Sequence, residues 1–207
     1  MIKSEIRSLI INQAQRLDPK ARYHPRVIDA IVEGVLSEML WELYALDPHY
    51  LQRFTVTCIS DVSYEAVANL YYTILPVKII PFPDKASGVR RVNTIAQPSM
   101  RFYPADYREM DALRSSSYFK EVTDKILYIV TQERVVYYGM TAAIAAEGVI
   151  MEVIQPFSQF DDTDTVYIPE FRDGEGMSFD DRVKRKLMNI PPVDLSEDTD
   201  ETNKTTK

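Results

Sequence analysis

The chain has 207 residues and a formal net charge of −7 at pH 7, which suits one domain with an appended arm and lacks the basic footprint that phosphate-driven nucleic-acid binding needs. Hydrophobic residues at 45% and charged residues at 27% leave enough apolar material for a sizeable core and exclude wholesale disorder. One cysteine, Cys58, excludes a disulfide framework and a thiolate zinc cage, and six glycines leave few places for a phosphate-cradling loop.

Taken in chain order, Ile6, Leu9, Ile10, Ala14 and Leu17 fall at helical spacing, which predicts an amphipathic helix over 4–17 with Ser4 as N-cap and Asp18-Pro19 as the stop. A long helix follows, opened by Pro25 and ended by Asp47-Pro48, with Val27, Ile28, Ile31, Val32, Val35, Leu36, Met39, Leu40, Leu43 and Tyr44 in its stripe. That stripe is wider than one neighbouring helix requires. Val27, Ile31, Val35, Leu36 and Met39 are therefore expected at an interface with neighbouring copies.

From Phe54 the period changes to two. The runs 54–60, 70–75, 88–95, 125–131, 134–138 and 148–154 are rich in β-branched and aromatic residues, and the fourth and fifth read as a hairpin across Gln132-Glu133. Pro104 to Arg114 reads as a short helix. After Gln155-Pro156 comes the acidic loop Asp161-Asp162-Thr163-Asp164, then Val166-Tyr167-Ile168-Pro169, then a helix over 179–188 carrying Arg182, Lys184, Arg185 and Lys186. The expected class is α+β: a helical part over 1–53, a mainly antiparallel β-rich part over 54–155, a loop and helix over 156–190, and an extended acidic arm over 191–207. That arm has too few apolar residues to offset its ordering entropy without a partner.

Chemistry-bearing patterns are sparse. His24 and His49 stand beside proline turns with no metal-ligand spacing, and Cys58 has no basic neighbour to lower its pKa. An EF-hand loop starting at Asp162 would need Gly and Glu where Tyr167 and Asp173 stand. Gly174-Glu175-Gly176 lacks the third glycine and the preceding strand of a dinucleotide loop. Basic residues cluster at Arg90-Arg91 and on the last helix, where Arg182, Arg185 and Lys186 share one face that suits an acidic partner, such as another copy's acidic loop or arm. No apolar run approaches the roughly 20 residues of a membrane span, and Glu5 interrupts the place where a signal peptide turns apolar. No catalytic residue, cofactor or resident metal is expected.

Two N-terminal helices followed by Thr73-Ile74-Leu75-Pro76, Ile79-Ile80-Pro81-Phe82-Pro83-Asp84 and Gly88-Val89-Arg90-Arg91-Val92 resemble the neck proteins of tailed bacteriophages, most of all crAss-like phages. Val153-Ile154-Gln155-Pro156-Phe157-Ser158, the acidic loop, Tyr167-Ile168-Pro169 and the final helix continue that resemblance, which spans most of the chain. It implies a non-enzymatic virion protein, made in the host bacterial cytoplasm, that forms a collar ring of about twelve copies between portal and tail. The implied partners are further copies, the portal protein and adjacent neck or tail rings. Genomic DNA would pass through without sequence-specific binding, and no membrane is involved. The few glycines and the long β-section depart from minimal adaptors and leave open which ring this is. Two other readings remain: a metal-dependent hydrolase using Asp161, Asp162 and Asp164, and a soluble partner-binding module of the host cell.

Overall fold

A computed structural model describes residues 1–19, 23–97, 99–100, 102–109, 125–131, 133–170 and 177–189. Helices together with mainly antiparallel sheets make the protein α+β. Two compact units are formed, one from Met1–Glu42 with the described residues from Phe160 on, the other from Leu43–Gln159.

In the first unit, α1 (Lys3–Leu17) buries Ile6, Ile10 and Ala14, the i, i+4, i+8 stripe of its sequence. Helix α2 (Pro25–Leu46) starts where proline fits a first turn, and the Nδ1 of His24 accepts the Arg26 N–H at 3.2 Å. Asp47 ends it, and its carboxylate accepts the His49 N–H at 2.9 Å to open a 3-10 stretch over Pro48–Phe54. Both histidines thus sit at helix starts. A last helix, Phe179–Asn189, buries Phe179, Val183 and Leu187 and is capped by Ser178, whose hydroxyl accepts the Asp181 N–H and donates to the Asp181 carboxylate.

The second unit holds two sheets. Strands β1 (Val56–Ser60), β4 (Val89–Thr94) and β8 (Val149–Val153) form one, in the order β1-β8-β4 and antiparallel throughout. The other has the order β2-β3-β7-β6-β5, from Ser63–Glu65, Leu70–Ile74, Arg134–Tyr138, Leu127–Val130 and Tyr103–Pro104. All its pairings are antiparallel except β5 with β6. Between β7 and β8, Thr141 caps the one-turn helix α3 (Ala142–Ala146), so the helix over Phe179–Asn189 is α4. Inward residues of both sheets, among them Val89, Val92, Tyr128, Val135, Tyr137, Met151 and Val153, make one core. Phe102 and Tyr137 meet edge-on there, ring centroids 5.7 Å apart.

Several local expectations need revision. Ser4 is not the N-cap of α1, which begins a residue earlier with Ile2 at the cap. The strands β2 and β5 and the helix α3 carry too short a pattern to stand out in the sequence. Of the helix expected over 104–114, residues 107–109 are helical and 110–114 lie outside the described residues. So do the arm over 191–207 and Gly174-Glu175-Gly176.

Candidate functional site

The acidic loop has a structural occupation. The Asp162 and Asp164 carbonyls accept the Ser4 and Lys3 backbone N–H groups at 3.2 and 3.0 Å, two of the donors a helix N-terminus leaves unpaired. Ile2 has no side-chain acceptor to do this, and only the reverse half of a capping box is made, with the Ile2 N–H donating to the Glu5 carboxylate at 3.0 Å. Met1 and Val166 exchange two backbone bonds, and the buried Lys3 ammonium donates to the Phe160 carbonyl at 2.5 Å. Of the loop's carboxylates, that of Asp162 pairs with Arg7, and that of Asp164 accepts the Asp161 N–H at 2.7 Å.

Arg7 is the clamp of this unit. Its Nε and Nη2 grip both oxygens of Asp29 on α2 at 2.6 and 2.5 Å while Nη1 holds Asp162. Donating to the Asp29 carboxylate raises the guanidinium pKa, with a smaller contribution from Asp162. Among the described residues no three His, Cys, Asp or Glu side chains stand close enough together to hold a metal ion.

The basic face of α4 points inward along α2. Arg182 forks onto Glu42 at 2.8 and 2.6 Å, and Lys186 donates to Glu38 at 2.6 Å. Gly34 supplies the room, because a Cβ there would stand 3.0 Å from the Lys186 ammonium nitrogen. The expectation that Arg182 and Lys186 await an acidic partner is therefore corrected: α2 already supplies their carboxylates. Arg185 stays exposed and makes no ion pair among the described residues.

The helical stripe needs the same correction. Ile31, Val35, Leu36 and Met39 are buried within the chain, Val35 to 0% exposure, and Val27 is half-buried. The sequence alone implied neighbouring copies because the helices tied to α2 come from opposite ends of the chain. Beside them lies an open groove of about 620 Å³ lined by Ile6, Leu9, Met39, Ile168, Met177 and Phe179 among others.

In the second unit the segments that carry the family resemblance fold onto each other. Ile80 donates to the Ile154 carbonyl at 2.9 Å, and Ile154 donates to that of Gly88 at 2.8 Å. The register of β4 against β8 slips between Val89 and Arg91, and the intervening Arg90 turns inward, its side chain only 6% exposed. It donates to Asp84 at 2.5 Å and lies over the rings of Phe82 and Tyr44, 4.8 and 5.7 Å from their centroids. Its Nε and Nη2 have no hydrogen-bond partner, so a buried cation rests on one carboxylate and two rings. The sequence groups Arg90 and Arg91 as one basic cluster; the bulge separates them, and only Arg91 faces outward, near Glu152.

Cys58 on β1 is half-buried and packs against the core, and desolvation raises its thiol pKa. Large apolar side chains stand exposed in this unit: Ile59 at 67%, Tyr64, Ile74, and Val67 at 99% in the β2–β3 turn. No helix among the described residues is long and apolar enough to cross a membrane. No protein-family model matches the chain, and no curated protein sequence matches it.

Proposed function

We propose that this chain is a structural protein of the head-to-tail neck of a tailed bacteriophage, forming a ring that joins portal to tail around the DNA path. The observation that carries the reading is the order of the segments resembling that family, 73–76, 79–84, 88–92, 153–158 and 161–169. These are the joints of the fold. The stretches 79–92 and 153–156 are hydrogen-bonded to one another, and 161–166 holds the start of α1. Segments of that kind preserve a scaffold's shape and need no reacting group.

The charged groups fit this reading. Arg7, Arg90, Arg182 and Lys186 are each committed to a carboxylate within the chain. A net charge of −7 gives such a ring no overall basic footprint with which to hold the DNA passing through it. Contacts between copies would fall to exposed apolar side chains and open strand edges, with two of the three cations on the basic face of α4 already paired. Electron microscopy of the purified chain, alone and with the portal protein of the same virus, tests the proposal. Closed rings with a central channel are expected. A dispersed monomer that binds neither portal nor further copies overturns it and favours a partner-binding module.

A further inference from the structure

The margin of the core under β1 is open. On the central strand β8 the inward residues Val149, Met151 and Val153 are fully buried, whereas their neighbours on β1, Val56, Cys58 and Ser60, are only half-buried. Among the described residues β1 is paired on one side alone, with β8. Nothing guards this edge. Thr55 to Ser60 contains no charge and no proline, and its pairing with β8 has no bulge. The other margins are protected: β4 is bulged and accepts the Phe102 N–H at Val92, β5 is two residues long and ends in Pro104, and β2 has three exposed residues including Glu65.

An added strand that closes this margin must present two aliphatic residues two positions apart, with a polar residue between them facing out beside Thr57 and Ile59. The segment after α4 contains such a pattern. From Pro191 onward Val193 and Leu195 are the only aliphatic side chains apart from the prolines, and Asp194 separates them. Val193 and Leu195 stand four and six residues beyond Asn189, so the chain can carry them about 14 and 21 Å from the end of α4 when extended, enough for an adjoining copy only. We propose that the open edge of β1 receives the segment around Val193-Asp194-Leu195 of a neighbouring copy as an additional strand, so that each subunit ties itself to the next through main-chain hydrogen bonds. This rests on the assembly proposed above.

Cys58 is the sole cysteine and lies on the inward side of β1, so it can report the contact directly. Full-length V193C, L195C and D194C are oxidised separately, each compared with its C58S double variant, and the mass of each preparation is measured before oxidation. The expected result is intermolecular disulfide formation from positions 193 or 195 about tenfold faster than from 194, and none in the C58S variants. A disulfide closed within one chain, equal rates at all three positions, a Cys58–Cys58 dimer of the unaltered chain, or no cross-link would each overturn the inference. Assembled but uncross-linked protein would defeat the strand addition and leave the ring standing; a monomer would defeat both.

Discussion

Two glycine-to-alanine changes, identical in chemistry, should have opposite consequences. A Cβ at Gly88 would stand 2.5 Å from the Ile80 carbonyl oxygen and 2.9 Å from the Ile79 Cβ. Neither neighbour can retreat freely, because Ile80 N–H and Gly88 C=O are both bonded to Ile154, at 2.9 and 2.8 Å. Relief of the clash strains the backbone or breaks those bonds. Overpacking of about 1–3 kcal/mol, or two hydrogen bonds at about 1 kcal/mol each, gives an expected loss of about 2–4 kcal/mol for Gly88→Ala. Gly34 is interior to α2, and its Cβ would meet only the flexible end of Lys186 at 3.0 Å. Alanine there gains up to about 1 kcal/mol of helix propensity, against about 0.5 kcal/mol if Lys186 releases Glu38. Urea denaturation measures both. With a slope of about 2 kcal/mol per molar, Gly88→Ala should lower the midpoint by about 1–2 M, while Gly34→Ala leaves it unchanged or raises it slightly. A Gly88→Ala midpoint within about 0.25 M of the parent, or a larger loss from Gly34→Ala, would refute the packing described for both sites.

Removing the partners of the buried ion pair should also be unequal: Asp84→Ala strands the Arg90 cation and costs about 3 kcal/mol, whereas Arg90→Met leaves a carboxylate that can reach water and costs less by the same denaturation assay. Burial raises the pKa of the Tyr137 hydroxyl above that of an exposed tyrosine, so its neutral form favours the folded state. That contribution is complete below about pH 10 and is lost as pH rises toward the folded value, so the stability difference between the parent and Tyr137→Phe should be flat from pH 6 to 9 and shift toward the variant above about pH 10. A pH-independent difference would contradict the assignment. Arg182→Ala should loosen α4 from α2, seen as faster amide hydrogen exchange across 183–188, while exchange in β8 stays unchanged.

Features with local causes were legible in the sequence. Pro25 and Asp47-Pro48 bound α2, and the strict spacing of Phe179, Val183 and Leu187 defines α4. β1, β3, β4, β6, β7 and β8 each announce themselves by β-branched and aromatic runs. Features set by distant residues were hidden. The start of α1 depends on carbonyls of Asp162 and Asp164, so Ser4 was a reasonable but mistaken cap. The parallel pairing of Tyr103-Pro104 with β6 involves two residues and no periodicity. At the candidate interface, the width of the α2 stripe was readable, but its cover comes from within the chain. The i, i+3, i+4 spacing of Arg182, Arg185 and Lys186 was equally visible, while their division into two paired cations and one exposed one depends on Glu38 and Glu42. Arg90 carried a faint signal, because two adjacent arginines in a strand point to opposite faces and one of them must then turn toward the core.

The central claim is assembly into a closed ring, and native mass measurement of the full-length chain tests it most directly. A discrete species of about twelve copies, or another single closed number, each of 23.9 kDa, is predicted, with no ladder of intermediate sizes. A species that stays at the mass of one chain across rising protein concentration would contradict it.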